Sequence, residues 1–435
     1  MKKSALLPVA LALTSFGFVG CGGGKKSTAK PLSGLTTRVF ASQSVSSLTA
    51  SPGLVIVNGL TDTLARAPVI GAGTSPGLMA ISPQRLIVMV FDSATNNVDI
   101  VDTKTESLAG TISLPGPTTS MIAPTNSVGY AAVPGAPLIG SPPGALEVMD
   151  LPNDVISASI SVPSAQTVVS NPSGTELLVF SNDSDAVTVV SPLFVNTSSP
   201  VTTTVPGFDR PAYAVFSSDG STAYVLNCGA ECGGTQASVQ TLSMATLAVG
   251  TPVPVDAATI GLLSGSTLYV AGTPATKNAC TGQTTAATTC GRLDIVNLGS
   301  MTVTGRVVIT DGYHDRIDIS NDGQLFIGSH TCTNIGNVNN ITGEVRGCLS
   351  IFDTTTPGNT TAIIPPDNGD VTGFQTISRP GATNVGSDSV EYVAEGGNMR
   401  VYNTLTDTLL LDQFIETGTI TIAGQIIDVK AVDFF

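Results

Sequence analysis

The chain has 435 residues, of which 42% are hydrophobic and only 11% are charged, and its net charge is −14. An acidic chain so poor in Lys and Arg lacks the basic surface that nucleic acids and anionic lipids require, which excludes the nucleic-acid-binding classes. The apolar content is ample to build a large core.

The N terminus is predicted to be an export signal. Lys2 and Lys3 provide a positive start, and an apolar stretch follows over residues 5–19. This stretch is too short, and too soon followed by Gly and Lys, to form a stable membrane span. No second segment of the sequence is apolar enough over a sufficient length to be another candidate.

FVGC (residues 18–21) resembles the lipobox of bacterial lipoproteins, with Phe18 where Leu is usual. The resemblance implies cleavage before Cys21 and a lipid on its sulfur; the alternative is an ordinary signal peptide that ends near a cysteine. Residues 22–35 are Gly, Ser, Lys and Pro with little to bury, and they are predicted to be a flexible tether. We therefore expect a signal peptide over 1–21, the tether, and one domain over 36–435.

The rest of the chain repeats one module about every 50 residues. A module consists of four short strands, with a Ser-Asn-Asp-Gly-like turn after the first, a variable loop after the second and a Thr-rich turn after the third. This periodicity is typical of the blades of a β-propeller, and almost no helix is expected. Seven complete modules are predicted, over residues 75–116, 117–164, 165–208, 209–257, 258–313, 314–368 and 369–417.

Both ends of the chain hold strand-like residues outside these modules. Residues 37–72 contain three predicted strands (TRVFAS, LVIVN and APVIG), and residues 424–435 contain one. Together they make a blade closed by the two termini, which removes the open sheet edges of the ring. The match between NGLTDTL (58–64) and NTLTDTL (403–409) supports this blade. Eight blades are therefore predicted, and seven are the alternative if 117–164 is irregular.

Many of the acidic residues fall in turns. Asp219 and Asp322 each precede a Gly between a first and a second strand, where Gly supplies a positive φ. Asp102 and Asp353 end third strands and are followed by Thr, so that their side chains can accept the N–H group two residues on. We interpret these acids as turn caps rather than catalytic carboxylates.

The modules resemble the YVTN-type propeller repeat of bacterial surface and exported proteins. The resemblance is carried by an SPDG-like turn, an (L/A)YV strand and a V-x-I-V-D/N-T segment, best seen in residues 215–225 and 293–297. It covers most of residues 37–435 and implies a ring of blades around a channel. The family includes adhesive or binding proteins and relatives regarded as lactonases, and it implies no catalytic residue for this chain.

Six cysteines besides Cys21 fall in three close pairs. An even number of cysteines in an exported chain predicts disulfides. A metal site is the rival interpretation, but the spacings do not match those of zinc ligands. Because each pair lies inside a single loop, the economical pairing is Cys228–Cys232, Cys280–Cys290 and Cys332–Cys348.

Only two histidines are present, and both belong to module 314–368. They lie at the loops that join blades or join second to third strands, which open on one face of a propeller together with the three cysteine loops. We predict a binding face there, near the channel mouth. The alternative is that its charges form weak surface pairs and each His caps a turn. The candidate residues are Asp209, Arg210, Asp311, Tyr313, His314, Asp315, Arg316, His330 and Arg346.

Gly73-Thr-Ser75-Pro-Gly77 matches the G-x-S-x-G motif, whose serine needs a helix after it. A predicted strand follows instead, so we interpret the segment as a loop between blades. The sequence contains no coherent set of catalytic residues, and we expect no cofactor and no metal. A metal site built from the two histidines with Asp311 or Asp315 has only proximity to support it.

The sequence therefore predicts an exported β-propeller anchored by a lipid to the outer membrane, on its periplasmic side or at the cell surface. We expect a monomer that binds a protein partner, a glycan or a small ligand on the disulfide-loop face, and no nucleic acid. One alternative is a lactonase-like or other hydrolase that uses the channel mouth. A second alternative is a purely structural envelope protein.

Overall fold

The computed structural model describes residues 31–44, 51–66, 69–138, 140–191, 201–275, 290–332, 347–365, 369–379, 389–411 and 417–433. These residues form eight antiparallel blades around a central channel, which confirms the eight-bladed β-propeller. The one helical element in these ranges is a single 3₁₀ turn, Gly229–Cys232. None of their helices has the length and apolar character needed to cross a membrane.

Blade 1 is shared by the two ends of the chain. It contains β1 (Arg38–Ser44), β2 (Gly53–Asn58), β3 (Thr63–Leu64) and β32 (Gln425–Ala431). The order β3-β2-β1-β32 places the C-terminal strand innermost, with Ala41 opposite Val429. The predicted closure by both termini is therefore confirmed. Of the predicted strand APVIG, residues 69–71 lie within the described residues, and they make one bridge, from Ile70 to Leu54.

Blades 2 to 5 each run in chain order from the channel to the rim. Blade 2 contains β4 (Pro76–Ile81), β5 (Ile87–Asp92), β6 (Asn97–Asp102) and β7 (Ser107–Ser113). Blade 3 contains β8 (Ser120–Ile122), β9 (Val128–Val133), β10 (Ala145–Asp150) and β11 (Val155–Ser161). Blade 4 contains β12 (Ala165–Ser170), β13 (Leu177–Ser181), β14 (Ala186–Ser191) and β15 (Val201–Pro206). Blade 5 contains β16 (Pro211–Phe216), β17 (Thr222–Asn227), β18 (Ser238–Ser243) and β19 (Val253–Pro254).

Blades 6 to 8 complete the ring. Blade 6 contains β20 (Ile260–Ser264), β21 (Thr267–Gly272), β22 (Gly291–Asn297) and β23 (Thr302–Ile309). Blade 7 contains β24 (Tyr313–Ile319), β25 (Gln324–His330) and β26 (Leu349–Asp353). Blade 8 contains β27 (Val371–Ser378), β28 (Ser389–Glu395), β29 (Asn398–Asn403), β30 (Thr408–Leu409) and β31 (Thr419–Ile420).

The outermost strands are where the structure differs most from the sequence prediction. In blade 7 the predicted strand TAIIP makes only isolated bridges, between Ile351 and Ile363 and between Val308 and Thr361. In blade 8 only residues 409–411 of the predicted strand LLLDQF lie within the described residues, and the two-residue strands β30 and β31 both pair with β29. A strand at the rim faces solvent, as the half-exposed side chain of Ile363 illustrates, so little burial fixes its length or register.

Apolar side chains pack between neighbouring blades. Met89 and Met149, for example, are fully buried in the core between blades 2 and 3. Gly129 lies between them on β9, and a Cβ atom at this position would come within 2.5 Å of the Met89 sulfur. The blades are therefore packed so closely that this position leaves no room for a side chain.

The inner strands are also joined around the channel by polar bonds from one blade to the next. The Asp428 carboxylate accepts the N–H of Met79, and Arg316 donates to the carbonyl of Thr372. Each bond satisfies a backbone group on the free edge of an inner strand, which would otherwise be unpaired in the channel wall. Further links of this kind are Ser120 to Val168, Thr259 to His314 and Gln375 to Ala431.

The turns confirm the architectural role predicted for the acids. Asp102 accepts the N–H groups of Lys104 and Thr105 at 2.8 and 2.9 Å. Asp353 likewise accepts the N–H of Thr355 at 2.8 Å. Such bonds hold the turn that follows each third strand, so these carboxylates are used within the fold.

The two faces of the ring differ. One face, here the turn face, carries the turns after first and third strands; the other, the disulfide-loop face, carries the loops between blades and those after second strands. The described chain enters at the turn face, where Ser33 donates to Glu106 and Arg38 donates to Thr103. Asp433 bonds Arg38 at the same place, so both ends of the described chain lie on the turn face.

Acidic side chains recur at the middle of third strands and are bonded to the fourth strand twelve residues later. The hydroxyl of Thr111 donates to Asp99 at 2.6 Å, and Arg306 lies 3.1 Å from Asp294. Burial, together with the nearby Asp256, raises the pKa of Asp294 to about 6. This carboxyl therefore keeps its proton to a higher pH in the folded state than in the unfolded state.

The pH dependence of stability is expected to weaken in Asp294→Asn. An unfolded Asp ionises near pH 4, whereas the folded one holds its proton to about pH 6, so the wild type loses stability as pH rises through this window. The variant cannot ionise there, and its melting temperature should fall less between pH 4 and pH 7. Thermal unfolding of both proteins at the two pH values measures the difference, and equal falls would contradict the assignment.

Candidate functional site

The channel contains a cavity of about 900 Å³. Its wall is built from the inner strands of blades 1 to 7, where apolar side chains such as Leu78, Ile122 and Leu262 alternate with Thr and Ser. A second cavity of about 530 Å³ opens toward the turn face and shares Met79, Phe216 and other wall residues with the first. The described channel is thus lined continuously from one face toward the other.

Charged and aromatic residues gather where the larger cavity meets the disulfide-loop face. The carboxylate of Asp315 lies 3.0 Å from Arg316 Nη1 and 2.9 Å from His330 Nε2, and Asp370 lies 3.9 Å from His330 Nδ1. Tyr313 precedes them on β24 and is 46% exposed. We call these five residues the mouth cluster. The structure thus brings together four of the predicted candidates and adds Asp370.

His314 lies apart from the mouth cluster. Its side chain is completely buried, and burial lowers its pKa to about 4, so the ring is neutral at neutral pH. Its neighbours on β24, Tyr313 and Asp315, line the large cavity, and strand alternation turns His314 away from it. The ring packs beside Gly291, where a Cβ atom would lie 2.8 Å from it. His314 therefore does not contribute to the solvent-facing surface predicted for it.

Asp209 and Arg210 lie beside a smaller cavity of about 300 Å³ on the same face. Partial burial acts to raise the pKa of Asp209. The hydrogen bonds that Thr235 and Gln236 donate to its carboxylate outweigh this effect and hold the pKa below its usual value. Arg210 lines the small cavity together with Tyr313 and Cys232. Asp209 thus fixes a loop, whereas Arg210 at the cavity wall forms ion pairs with Asp183 and Asp185.

The remaining candidates have varied positions. Asp311 is buried, and its backbone carbonyl accepts the hydroxyl of Ser329 at 2.7 Å. Arg346 lies outside the described residues, as do Cys21 and Cys280. Two of the predicted disulfides, Cys228–Cys232 and Cys332–Cys348, are present on the disulfide-loop face.

Glu231 lies close to Tyr313 of the mouth cluster and is not among the candidates predicted from the sequence. It lies on the 3₁₀ turn between Cys228 and Cys232, and its carboxylate accepts the N–H of Thr273 at 2.9 Å. Burial raises its pKa to about 7, and its charge in turn helps to raise the pKa of Tyr313.

Asp370 could have been found, because it directly precedes a first strand, close to where Asp209 and Asp311 stand in their modules. Glu231 has no counterpart in the other modules.

Ser75 of the G-x-S-x-G motif is followed by strand β4 and donates its backbone N–H to Asp92 at 2.9 Å. The loop interpretation is therefore confirmed, since no helix follows the serine. Within the described ranges, no group of three or more His, Cys, Asp or Glu residues could hold a metal ion.

Solved structures share this architecture at low sequence identity. A dihydro-heme d1 dehydrogenase, NirN, in complex with DHE, is 12% identical with a TM-score of 0.58, covering 93% of this chain and 79% of its own. The Dos1 propeller is 10% identical with a TM-score of 0.56, covering 80% of this chain and 85% of its own. Hydrazine synthase from Kuenenia stuttgartiensis is 14% identical with a TM-score of 0.53, covering 79% of this chain and 99% of its own.

These similarities place the chain among the β-propellers and go no further than the fold. No protein-family model matches the sequence, and no curated protein matches it. Propellers host many unrelated functions, so function has to be argued from the site itself.

Proposed function

We propose that the protein is an exported, lipid-anchored β-propeller that binds a ligand in the channel, beneath the disulfide-loop face. The observation that carries the proposal is the 900 Å³ cavity, which reaches the surface at Tyr313, Asp315 and Arg316. Concave sites of ~300–1,000 Å³ with apolar walls and a few convergent polar groups are typical of small-ligand binding. The two described disulfides stiffen loops around this mouth, which lowers the entropic cost of binding.

Export and the anchor rest on the sequence. The lipobox-like residues 18–21 and the resemblance to YVTN-type repeats of exported proteins both support them. Disulfides in the described chain are consistent with an oxidising compartment. Mass spectrometry of the mature protein tests the anchor directly: we expect a lipid on Cys21, and an unmodified N-terminal peptide that begins elsewhere would contradict it.

A channel-filling substitution is expected to abolish ligand binding. Leu262 is half-buried on β20 and lines the cavity, so the larger side chain in Leu262→Trp would occupy part of the cavity. A compound that binds the wild type at 100 times its Kd stabilises the fold by about 2.7 kcal/mol. Thermal-shift screening with sugars, nucleotides, amino acids, carboxylic acids and lactones should find a stabilising compound whose effect disappears in Leu262→Trp.

Val155→Trp provides the matched control. Val155 is 48% exposed on β11, the outermost strand of blade 3, and is absent from the cavity wall. This variant should retain the full thermal shift. Equal shifts in Leu262→Trp and wild type, or no stabilising compound in any of these classes, would contradict a channel site.

The mouth cluster also favours a second candidate, a hydrolase of the lactonase-like kind. His330 and Asp315 lie 2.9 Å apart at the cavity rim, and such a pair can transfer protons to a bound substrate. This alternative predicts turnover that is lost in His330→Ala, and turnover that persists in that variant removes it. His314→Ala is no test of it, because that side chain is buried away from the cavity. A purely structural role predicts no ligand at all.

A further inference from the structure

The charges in the cavity wall are paired with one another. The described lining contains two acids and two bases, Asp315 with Arg316 and Asp428 with Lys430. Arg316 Nη1 lies 3.0 Å from Asp315, and Lys430 Nζ lies 2.8 Å from Asp428. Each carboxylate is tied further, to His330 and to the N–H of Met79. The lining is therefore balanced in charge, and its ions already have partners.

This balance disfavours an ionic ligand. A ligand anion that takes the guanidinium of Arg316 would separate it from Asp315, and the carboxylate would then lose its counter-charge in a partly desolvated site. A ligand cation that binds Asp315 would likewise separate it from Arg316, and the guanidinium would then lose its counter-charge. A neutral ligand avoids both, because it can bond to the outward-facing donors and acceptors of an intact pair.

The rest of the wall offers many neutral hydrogen-bonding groups spaced between apolar ones. Each is a hydroxyl or an amide, so each can donate and accept. Thr119, Ser120 and Thr259 already bond to backbone groups of neighbouring inner strands, whereas a purely apolar ligand would leave Gln166 Oε1, which has no partner among the described residues, unpaired. The apolar side chains between them would in turn cover the C–H surfaces of a ligand. The polar residues on this wall are Thr119, Ser120, Gln166, Thr167, Ser170 and Thr259.

Two tyrosines complete the site. Tyr213 on β16 and Tyr313 on β24 both line the large cavity, and Tyr313 also borders the small one beside Arg210. Burial, with the carboxylates of Asp315 and Glu231 nearby, raises the pKa of Tyr313 to about 12, so its phenol keeps the proton and can donate a hydrogen bond. A large, stiff ring at the mouth provides an apolar face and a polar edge at low entropic cost.

We propose that the channel mouth binds a neutral oligosaccharide, with Tyr313 packed against a sugar ring and the wall hydroxyls bonded to the sugar hydroxyls. This ligand class combines apolar C–H faces with many neutral hydroxyl groups, as the wall does. The inference rests on the proposed channel site and specifies the ligand that this site takes.

Calorimetric titration of the full chain tests the ligand class. The probes are maltotriose and N,N′-diacetylchitobiose, which are neutral, and digalacturonic acid, which is anionic and otherwise similar in size. We expect at least one neutral probe to bind and the anionic one to bind at least tenfold more weakly. Binding of the anionic probe alone, or of none of the three, would overturn the inference.

Substitutions at Tyr313 test its position in the site. Tyr313→Ala is expected to weaken binding of the neutral probe about tenfold, because the packed ring is lost, whereas Tyr313→Phe keeps the ring and should weaken it no more than about threefold. Equal affinities in wild type and Tyr313→Ala would remove Tyr313 from the site. Melting temperatures of both variants establish that each is folded during the titration.

The two proposals fail in different ways. If an ionic compound binds and Leu262→Trp abolishes its binding, the channel site stands and the saccharide inference falls. If a neutral probe binds equally well to wild type and Leu262→Trp, the protein binds saccharides elsewhere, and both proposals are wrong.

Discussion

Asp62→Asn is expected to lower the free energy of unfolding by about 3–5 kcal/mol. Asp62 lies in the turn of blade 1 and receives hydrogen bonds from the guanidinium of Arg379 and the hydroxyl of Tyr392 in blade 8. The Asp62 and Arg379 side chains are fully buried. The substitution leaves the buried guanidinium without its counter-charge, which costs far more than one hydrogen bond. Denaturant unfolding of both proteins measures the change.

The sequence supplies a matched control for this prediction. Asp407 holds the same position in NTLTDTL that Asp62 holds in NGLTDTL, and both residues have φ of +54°. Burial, together with Asp353 and Asp322, raises the pKa of Asp407 to about 6. Asp407→Asn removes this repulsion and should leave stability unchanged or slightly higher at pH 7. Because Asn tolerates the left-handed conformation, backbone strain should contribute little to either result.

A large loss in Asp407→Asn, or a loss below about 1 kcal/mol in Asp62→Asn, would contradict this account. Either result would mean that the buried ion pair with Arg379 does not explain the difference between the two acids. Arg379→Met is a useful third variant, because removing both charges in Asp62→Asn/Arg379→Met should recover part of the lost stability.

Removal of residues 425–435 is expected to prevent cooperative folding. These residues include β32, the inner strand of blade 1, which pairs with β1 and buries Ile426, Val429 and Ala431. Without them, β1 exposes an unpaired edge to the channel, and blade 2 loses the hydrogen bond that the Met79 N–H donates to Asp428. We expect an aggregated product, or one that lacks a sharp thermal transition.

The control for the truncation is removal of Phe434 and Phe435 alone, which leaves β32 and Asp433 in place. That shorter deletion should retain a cooperative transition. A soluble protein that lacks residues 425–435 and still melts within a few degrees of the full chain would show that the ring does not depend on closure by its C-terminal strand.

The blades could be predicted because each inner strand alternates or concentrates apolar residues and is bounded by turns that need Gly, Asp or Asn. Gly220 and Gly323, for example, take the positive φ predicted for them. The predicted rim strand TAIIP of blade 7 was wrong, because its apolar residue Ile363 is half-exposed and is not held by a second packed layer. Strand-like composition therefore indicates a strand only where the fold buries it.

The candidate site could be predicted only in part. Asp315, Arg316 and His330 belong to one predicted module, and their side chains do meet. The burial of His314 was missed, although strand alternation turns it away from the cavity that its neighbours Tyr313 and Asp315 line. The cavity wall was missed for a different reason: its residues come from seven blades, and each of them looks like an ordinary strand residue in its own module.

The entry of the chain at the turn face determines how a tethered ring would stand above a bilayer. If Cys21 carries the proposed lipid, the ten residues to Pro31 span at most ~35 Å, so the turn face is held toward the membrane. The mouth cluster then points away from the bilayer, toward whatever lies in the surrounding medium. Such an orientation leaves the opening accessible to molecules too large to pass beneath the ring, including one end of a long polymer.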